Sequence, residues 1–258
     1  MKIIFVGAGN LATHLATALY DAGHDIVQVY SRTGISAKTL ADKVDSIPVT
    51  EISNLRKDAD ACIMSVKDSA LEHLIHEACT ERKNMVFMHT AGSIPMSVFD
   101  GWADNYGVFY PMQSFSKKRE LNFRNIPCFL EWNNDKVKTV IEQLAESVSD
   151  VKYNVNSEVR KQLHLAAVFA SNFVNHCYEM SSELLEEHNL PFDVMLPLVD
   201  EIAAKVHEMK PRDAQTGPAI RYDKNVMKMH TDMLEDKPLM KEIYETMSKS
   251  IHKTATEK

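Results

Sequence analysis

The 258-residue sequence holds four cysteines, Cys62, Cys79, Cys128 and Cys177, with no C-x-x-C pair among them. That spacing excludes the compact disulfide framework of a small secreted domain and reads as buried reduced thiols. Positive charge is short as well. The formal net charge of −7 argues against nucleic acid as the main partner, because phosphate binding draws on a net basic surface. The run Lys117-Lys118-Arg119 is too brief to reverse that. No apolar run is long enough to cross a bilayer, so no membrane partner is expected. The chain enters a strand-like run, Ile3-Ile4-Phe5-Val6, directly after Met1-Lys2, leaving no room for a signal peptide ahead of it. A soluble cytoplasmic protein is the expectation, without internal repeats or low-complexity tracts.

What is present is an ordinary globular composition, 45% hydrophobic and 25% charged, in a chain long enough for two modest domains. Short apolar runs alternate with helical patterns: Ile3 to Val6, Leu11 to Ala22, Ile26 to Tyr30, Ser36 to Lys43, Ala61 to Val66, Ser69 to Ala78, Met85 to His89. Such alternation predicts βαβ units on a parallel sheet. Two further extended runs, Gly107 to Tyr110 and Ile126 to Trp132, precede a helix from Lys136 to Val148, and the sheet is expected to end near Val151 to Val155.

From Asn156 the strand signals vanish, which places one domain at 1–155 and a helical one at 156–258. A long helix over Ser157 to His188 carries apolar residues around much of its girth, including Leu163, Phe169, Phe173 and Leu184. It must be buried on several sides, in a bundle or a dimer interface. Pro191 starts a further helix and Pro211 marks its end. Helices then follow over Asp223 to Leu234 and Pro238 to Ile251, with Thr254 to Lys258 frayed. Met227, Met229, Met233, Met240 and Met247 read as adaptable packing and support a homodimer through the helical domain.

Gly7-Ala8-Gly9-Asn10-Leu11-Ala12 matches G-x-G-x-x-A directly after the first strand and at the start of the first helix. Gly7 permits the tight turn, Gly9 lets the backbone approach a pyrophosphate, and Ala12 keeps the helix close to the sheet. The helix N-terminus, opened by Asn10 and Leu11, supplies free N–H groups and a positive dipole end. This is a Rossmann-type dinucleotide fingerprint, so the fold class is a doubly wound parallel α/β sheet followed by an all-α domain. Binders of NAD place a carboxylate at the end of the second strand, and here that end reads Tyr30-Ser31-Arg32-Thr33. Arg32 can pair with a 2′-phosphate that Ser31 and Thr33 also reach, which selects NADP as cofactor. Ser65, Val66 and Lys67 follow the fourth strand, where the sheet edge passes the nicotinamide ribose; Asp68 fits helix capping equally well. His89-Thr90-Ala91-Gly92 and Tyr110-Pro111-Met112-Gln113-Ser114-Phe115 end two further strands toward the same cleft.

With Gly7-x-Gly9-Asn10 and Ser31-Arg32-Thr33 in place, the sequence resembles the two-domain NADP reductases. That superfamily includes pyrroline-5-carboxylate reductase, deazaflavin-dependent NADP reductase and the β-hydroxyacid dehydrogenases. Over nearly the whole chain it is similar to an uncharacterised branch, a Rossmann domain joined to a helical domain of unknown function. His89-Thr90-Ala91-Gly92, Tyr110 to Phe115, His164 to Asn172 and Thr216-Gly217-Pro218-Ala219-Ile220-Arg221 carry that closer likeness. The branch usually has His where Tyr110 stands and Gly where Tyr222 stands. The resemblance implies an NADP-dependent oxidoreductase with a helical half like the C-terminal domain of 6-phosphogluconate dehydrogenase. It implies no particular substrate.

Hydride exchange with a carbonyl or imine needs a proton donor or acceptor at the reacting heteroatom and a group that orients the substrate. In the β-hydroxyacid dehydrogenases a Lys on the long helix supplies the proton, with an Asn nearby; the resemblance puts Lys161, His164 and Asn172 on the corresponding helix. His164 and Asn172 are eight positions apart, so an unbroken α-helix points both to one side. Histidine as a residue type can exchange a proton near neutral pH, which makes His164 the first candidate for the general acid. His89 and Tyr110 are the candidates from the sheet side. For each, a packing role is the structural alternative. Arg221 and Asp223 fit either a substrate carboxylate or an ion pair. His73-x-x-His76, beside Glu72 and Glu77, lacks a third well-placed ligand, and no metal is expected. Two functions remain open: an NADP-dependent oxidoreductase acting on a small carbonyl, imine or hydroxyacid, or a catalytically silent NADP-binding sensor or scaffold.

Overall fold

The computed structural model describes residues 1–257. Eight strands form one sheet: β1 (Lys2–Val6), β2 (Asp25–Tyr30), β3 (Ile47–Val49), β4 (Ala61–Met64), β5 (Val86–His89), β6 (Tyr106–Pro111), β7 (Cys128–Trp132) and β8 (Lys152–Asn154). Their order is β3-β2-β1-β4-β5-β6-β7-β8. All neighbours are parallel except β6 and β7. The order in which strands are added reverses at the β1–β4 boundary, the position where open α/β sheets form a crevice at the carboxyl ends of their strands. The edge strand β3 escaped the sequence pattern, because three residues including Pro48 carry no readable alternation.

Alternation within β1 shows how the sheet is covered. Ile3 and Phe5 enter one core layer with Leu15, Leu19, Ile141 and Leu144. Ile4 and Val6 enter the opposite layer with Leu71, Ile75 and Phe99. Helix α1 (Asn10–Asp21) buries Ala12, Leu15, Ala16 and Leu19, the three-and-four spacing of a core-facing stripe. The short α2 (Gly34–Ala41) packs beside β2 and β3, α3 (Asp68–Cys79) covers the second layer, and α4 (Asp135–Val148) the first. Asn134 caps α4 by accepting from the Val137 N–H at 3.0 Å.

The strands end at Asn154 and α5 (Ser157–Ala167) begins, capped by Asn156. The predicted long helix is interrupted: a π-helical stretch, Val168–Phe173, joins α5 to α6 (Val174–Glu186). The compact units of the chain divide inside that stretch, 1–172 and 173–258. The change from strands to helices at residue 156 and the division into units are therefore separate features. α5 follows the sheet in sequence yet packs with it, through Leu163 against Val108, Tyr110 and Phe129.

The second unit contains α6, α7 (Leu196–Glu208), α8 (Pro211–Ala214), α9 (Pro218–Arg221), α10 (Lys224–Met233) and α11 (Pro238–Thr256). Pro191 precedes a 3₁₀ turn that leads into α7; α7 ends at Glu208, just before Pro211, which itself opens α8. The expected frayed end is instead the last turn of α11, where Arg212 donates to the carbonyls of Thr254 and Glu257; Lys258 lies outside the described residues. The methionines divide: Met240 and Met247 line a cavity of about 380 Å³ with Cys177 and Leu184, whereas Met229 and Met233 are exposed. Among the described residues no helix is long and apolar enough to cross a membrane.

Candidate functional site

A cleft of about 620 Å³ opens at the carboxyl ends of β1, β2, β4, β5 and β6. Its floor is the glycine turn. Gly7 has φ +114° and donates its N–H to the Tyr30 carbonyl at 2.8 Å. A Cβ there would lie 2.1 Å from the Ser65 carbonyl oxygen, so glycine is required by both conformation and contact. Gly9 faces open space: a Cβ would meet nothing within 4 Å, which leaves room for a ligand against the backbone. No side chain caps α1 and no acid stands in its first turn, so its N–H groups are available to an anion. Ala12 is fully buried under the turn and does not face the cleft. The turn is braced from behind, with Lys117 Nζ donating to the Ala8 carbonyl at 2.8 Å and Asn10 Nδ2 to the Phe115 carbonyl at 3.0 Å.

Ser31 and Arg32 line the far end of this cleft, joined by Ser36 from the first turn of α2. Asp68, on the other side of the turn, is the one carboxylate among the described lining residues, and it accepts from Ser93 Oγ. The Arg32 end is thus cationic and rich in hydroxyls. Thr33 precedes α2 at its N-cap position but is not part of the cleft wall. Ser65, Val66 and Lys67 line the cleft beside the turn. These features fit a phosphorylated dinucleotide: a glycine cradle open to a pyrophosphate, a helix N-terminus behind it, and a guanidinium with two hydroxyls for a further phosphate.

The candidates for proton chemistry separate. Tyr110 and His164 both line the cleft, and the Tyr110 hydroxyl lies 3.1 Å from His164 Nδ1. Burial pushes the Tyr110 phenol above its ordinary range, and the Arg160 guanidinium opposes that rise. Gly92 makes the pair possible, since a Cβ on it would sit 2.6 Å from His164 Nδ1. His89, expected on the wall, lies behind it. It is fully buried, stacked on Phe99 with ring centroids 5.8 Å apart, and its Nδ1 accepts from the Ala91 N–H at 3.1 Å. Burial, reinforced by the Arg160 charge, pushes it down to about 3, so it stays neutral.

Asn172 is exposed and outside the cleft. Asn172 lies inside the π-helical stretch Val168–Phe173, beyond the end of α5, which carries His164. Lys161 also points elsewhere, in a surface pair with Glu158 at 3.0 Å.

Other candidates resolve into structure. His73 pairs with Glu77 at 3.2 Å, while His76 meets the edge of Trp102, and no group of three or more metal-ligating side chains occurs among the described residues. Asp223 caps α10 by accepting from the Val226 N–H at 3.3 Å. Sequence reasoning missed Ser36, Arg160 and Glu131. Ser36 had a signal, a hydroxyl in the first turn after Ser31-Arg32-Thr33; the other two had none.

Fold and cleft together define a two-domain protein with a Rossmann-type dinucleotide site. Residues 1–110 match the Rossmann-like domain model and residues 126–251 match a domain of unknown function, DUF2520. The chain belongs to the family that joins these two domains. It is 51% identical to a Bacteroides fragilis protein provisionally assigned as an NADP oxidoreductase, over 98% of each chain, with a TM-score of 0.94. A Thermotoga maritima protein is similar in fold at 21% identity, over 98% of each chain, with a TM-score of 0.73. So is an imine reductase from Myxococcus stipitatus solved with NADP+, at 13% identity, over 98% of this chain and 93% of that one, with a TM-score of 0.69. No curated protein matches the sequence.

Proposed function

We propose that the protein is an NADP-dependent oxidoreductase that moves hydride between NADP(H) and a small carbonyl, imine or hydroxyacid. The observation that carries this reading is the Tyr110 and His164 pair, in hydrogen-bond contact on the wall of the cleft that holds the glycine turn. The Bacteroides relative and the NADP-bound fold neighbour support the cofactor. The bound dinucleotide supplies or accepts the hydride. The backbone at Ala8, Gly9 and Asn10 would hold its pyrophosphate, Arg32 with Ser31 and Ser36 would hold its 2′-phosphate, and Ser65, Val66 and Lys67 would flank its ribose on the reactive side.

In the reducing direction Tyr110 donates its proton to the substrate heteroatom as charge develops there. His164, half-buried, restores that proton through Nδ1 and exchanges with solvent. His89 acts as a structural residue and Asn172 takes no part within this cleft. The helical domain forms a homodimer: Leu198, Ile202, Val206, Met233 and Leu239 leave apolar surface that a second copy covers.

Titration with NADPH and NADH, followed by NADPH oxidation against a panel of imines, ketoacids and aldehydes, tests the reading. Selective NADPH binding with turnover of any member is expected. Binding without turnover across the panel would favour a sensor, and absence of binding would overturn the assignment.

A further inference from the structure

Arg160 is the largest fully buried side chain among the described residues, and the chemistry above does not use it. It stands in the first turn of α5, four residues before His164 and so on the same helix face. Its guanidinium pairs with Glu131, which is 13% exposed, and donates to the Ile94 carbonyl at 2.6 Å and to Ser157 Oγ at 3.2 Å. Glu131 lies on β7 opposite Val108, and Phe129 of the same strand lies opposite Tyr110. Directly opposed residues share a sheet face, so Glu131 projects from the face that carries Tyr110. The Glu131 carboxylate also accepts from the Ser157 N–H at 2.9 Å, at the start of α5, and from Ser157 Oγ at 2.8 Å. Ser157 Oγ in turn accepts from the Met96 N–H at 2.9 Å. One buried knot therefore ties together three parts of the cleft wall: the strand pair bearing Tyr110, the helix bearing His164, and the segment 90–96 bearing Gly92.

We propose that Arg160 is a positioning residue whose clamp on Glu131 and the Ile94 carbonyl sets the contact between His164 and Tyr110. The inference rests on the reading of that pair as the proton source. The clamp needs a fork. Lysine, with a single ammonium on a flexible stem, cannot hold the carboxylate and the carbonyl in one fixed geometry. Removing the guanidinium alone strands a buried carboxylate, so the informative substitutions are R160K, the paired R160M/E131Q, and S157A, which leaves the Asn156 cap and the charge pair intact.

The first measurement is the ¹⁵N spectrum of the His164 ring in the full-length protein, with and without Y110F. In the unmodified background Y110F should shift the His164 nitrogens. In R160K and R160M/E131Q those nitrogens should move to solvent-like values and no longer respond to Y110F. S157A should move them in the same direction by less, and it serves where the other variants do not fold. NADPH affinity should stay within about two-fold while kcat falls on the order of 10²-fold, the scale of a misplaced reacting group. Unchanged His164 signals in the folded variants would overturn the proposal. So would a loss of NADPH binding in step with the spectral change, which would mark general collapse of the cleft. If the His164 signals respond as expected but neither Y110F nor R160K lowers turnover, the clamp stands and the proton-source reading fails.

Discussion

The two units of this chain treat their apolar residues differently. In 1–172 nearly every apolar position of the central strands is buried: Ile3, Ile4, Phe5 and Val6 in β1, and Cys62 and Ile63 in β4, are all at 0% exposure. Among the described residues from 173 on, the only buried hydrophobic ones are Ala219 and Leu234, while Leu198, Met233 and Leu239 stand more than half exposed. A sheet covered on both faces closes its core within one copy. The helices of the second unit carry more apolar surface than one copy buries. The first unit should therefore be stable in its own right, and the second should depend on protein concentration.

The largest expected effect lies in the first unit. Phe5→Ala should destabilise by about 3–5 kcal/mol, as deletion of a fully buried aromatic side chain does, and its urea midpoint should be independent of protein concentration. Ile202→Ala, at a side chain 47% exposed, should change stability little at high dilution but weaken self-association measured by sedimentation. A concentration-dependent midpoint for the first variant, or unaltered association for the second, would break the contrast.

Next in size is an acid effect confined to the sheet unit. His89 is held down to about 3 from 6.5 by burial and the Arg160 charge, so below pH 6.5 the unfolded chain takes up a proton that the folded one refuses. Its contribution is intact above pH 6.5 and is lost progressively as pH falls toward 3, on the order of a few kcal/mol in all. Unfolding free energies measured across that window should slope for the native protein and flatten for His89→Phe. Parallel slopes would show that His89 is not the group responsible.

A smaller effect tests the cleft. Arg32→Ala should weaken NADPH binding by about 1.5–3 kcal/mol, the range of a hydrogen bond to a charged group, and leave NADH binding nearly unaltered. Equal losses for both nucleotides would remove the 2′-phosphate assignment.

The same contrast explains what was legible in the sequence. The sheet was readable because Ile3 to Val6, Ala61 to Val66 and their counterparts are runs that only a twice-covered strand accommodates. The glycine turn was readable because backbone chemistry, rather than tertiary context, dictates Gly7. Pairing of His164 with Tyr110 was not readable, since it depends on where α5 lands on β6 and β7. Its clamp was hidden for the same reason: Arg160 and Glu131 are 29 positions apart and each looks like a solvated charge. Asn172 does not line this cleft, and the π-helical stretch that holds it leaves no mark in residue type.

The smallest effect concerns Tyr222. Its φ of +53° puts it in the left-handed region at the C-terminal cap of α9, a conformation that disfavours any residue with a Cβ. The ring offsets part of that cost. It stacks on His252 with centroids 4.2 Å apart and lies 5.1 Å from Lys224 Nζ, contacts worth about 0.5–1.5 kcal/mol each. Tyr222→Gly should therefore relieve the backbone and lose the ring, for a net change within about 1 kcal/mol of zero. Tyr222→Ala loses the ring and keeps the strain, so it should be the less stable of the two by about 1 kcal/mol. Thermal denaturation of both variants isolates the backbone cost as their difference. Equal stabilities would mean that this turn of the helical unit relaxes out of the left-handed region when its ring is removed, as a segment short of buried contacts can and one in the sheet unit cannot.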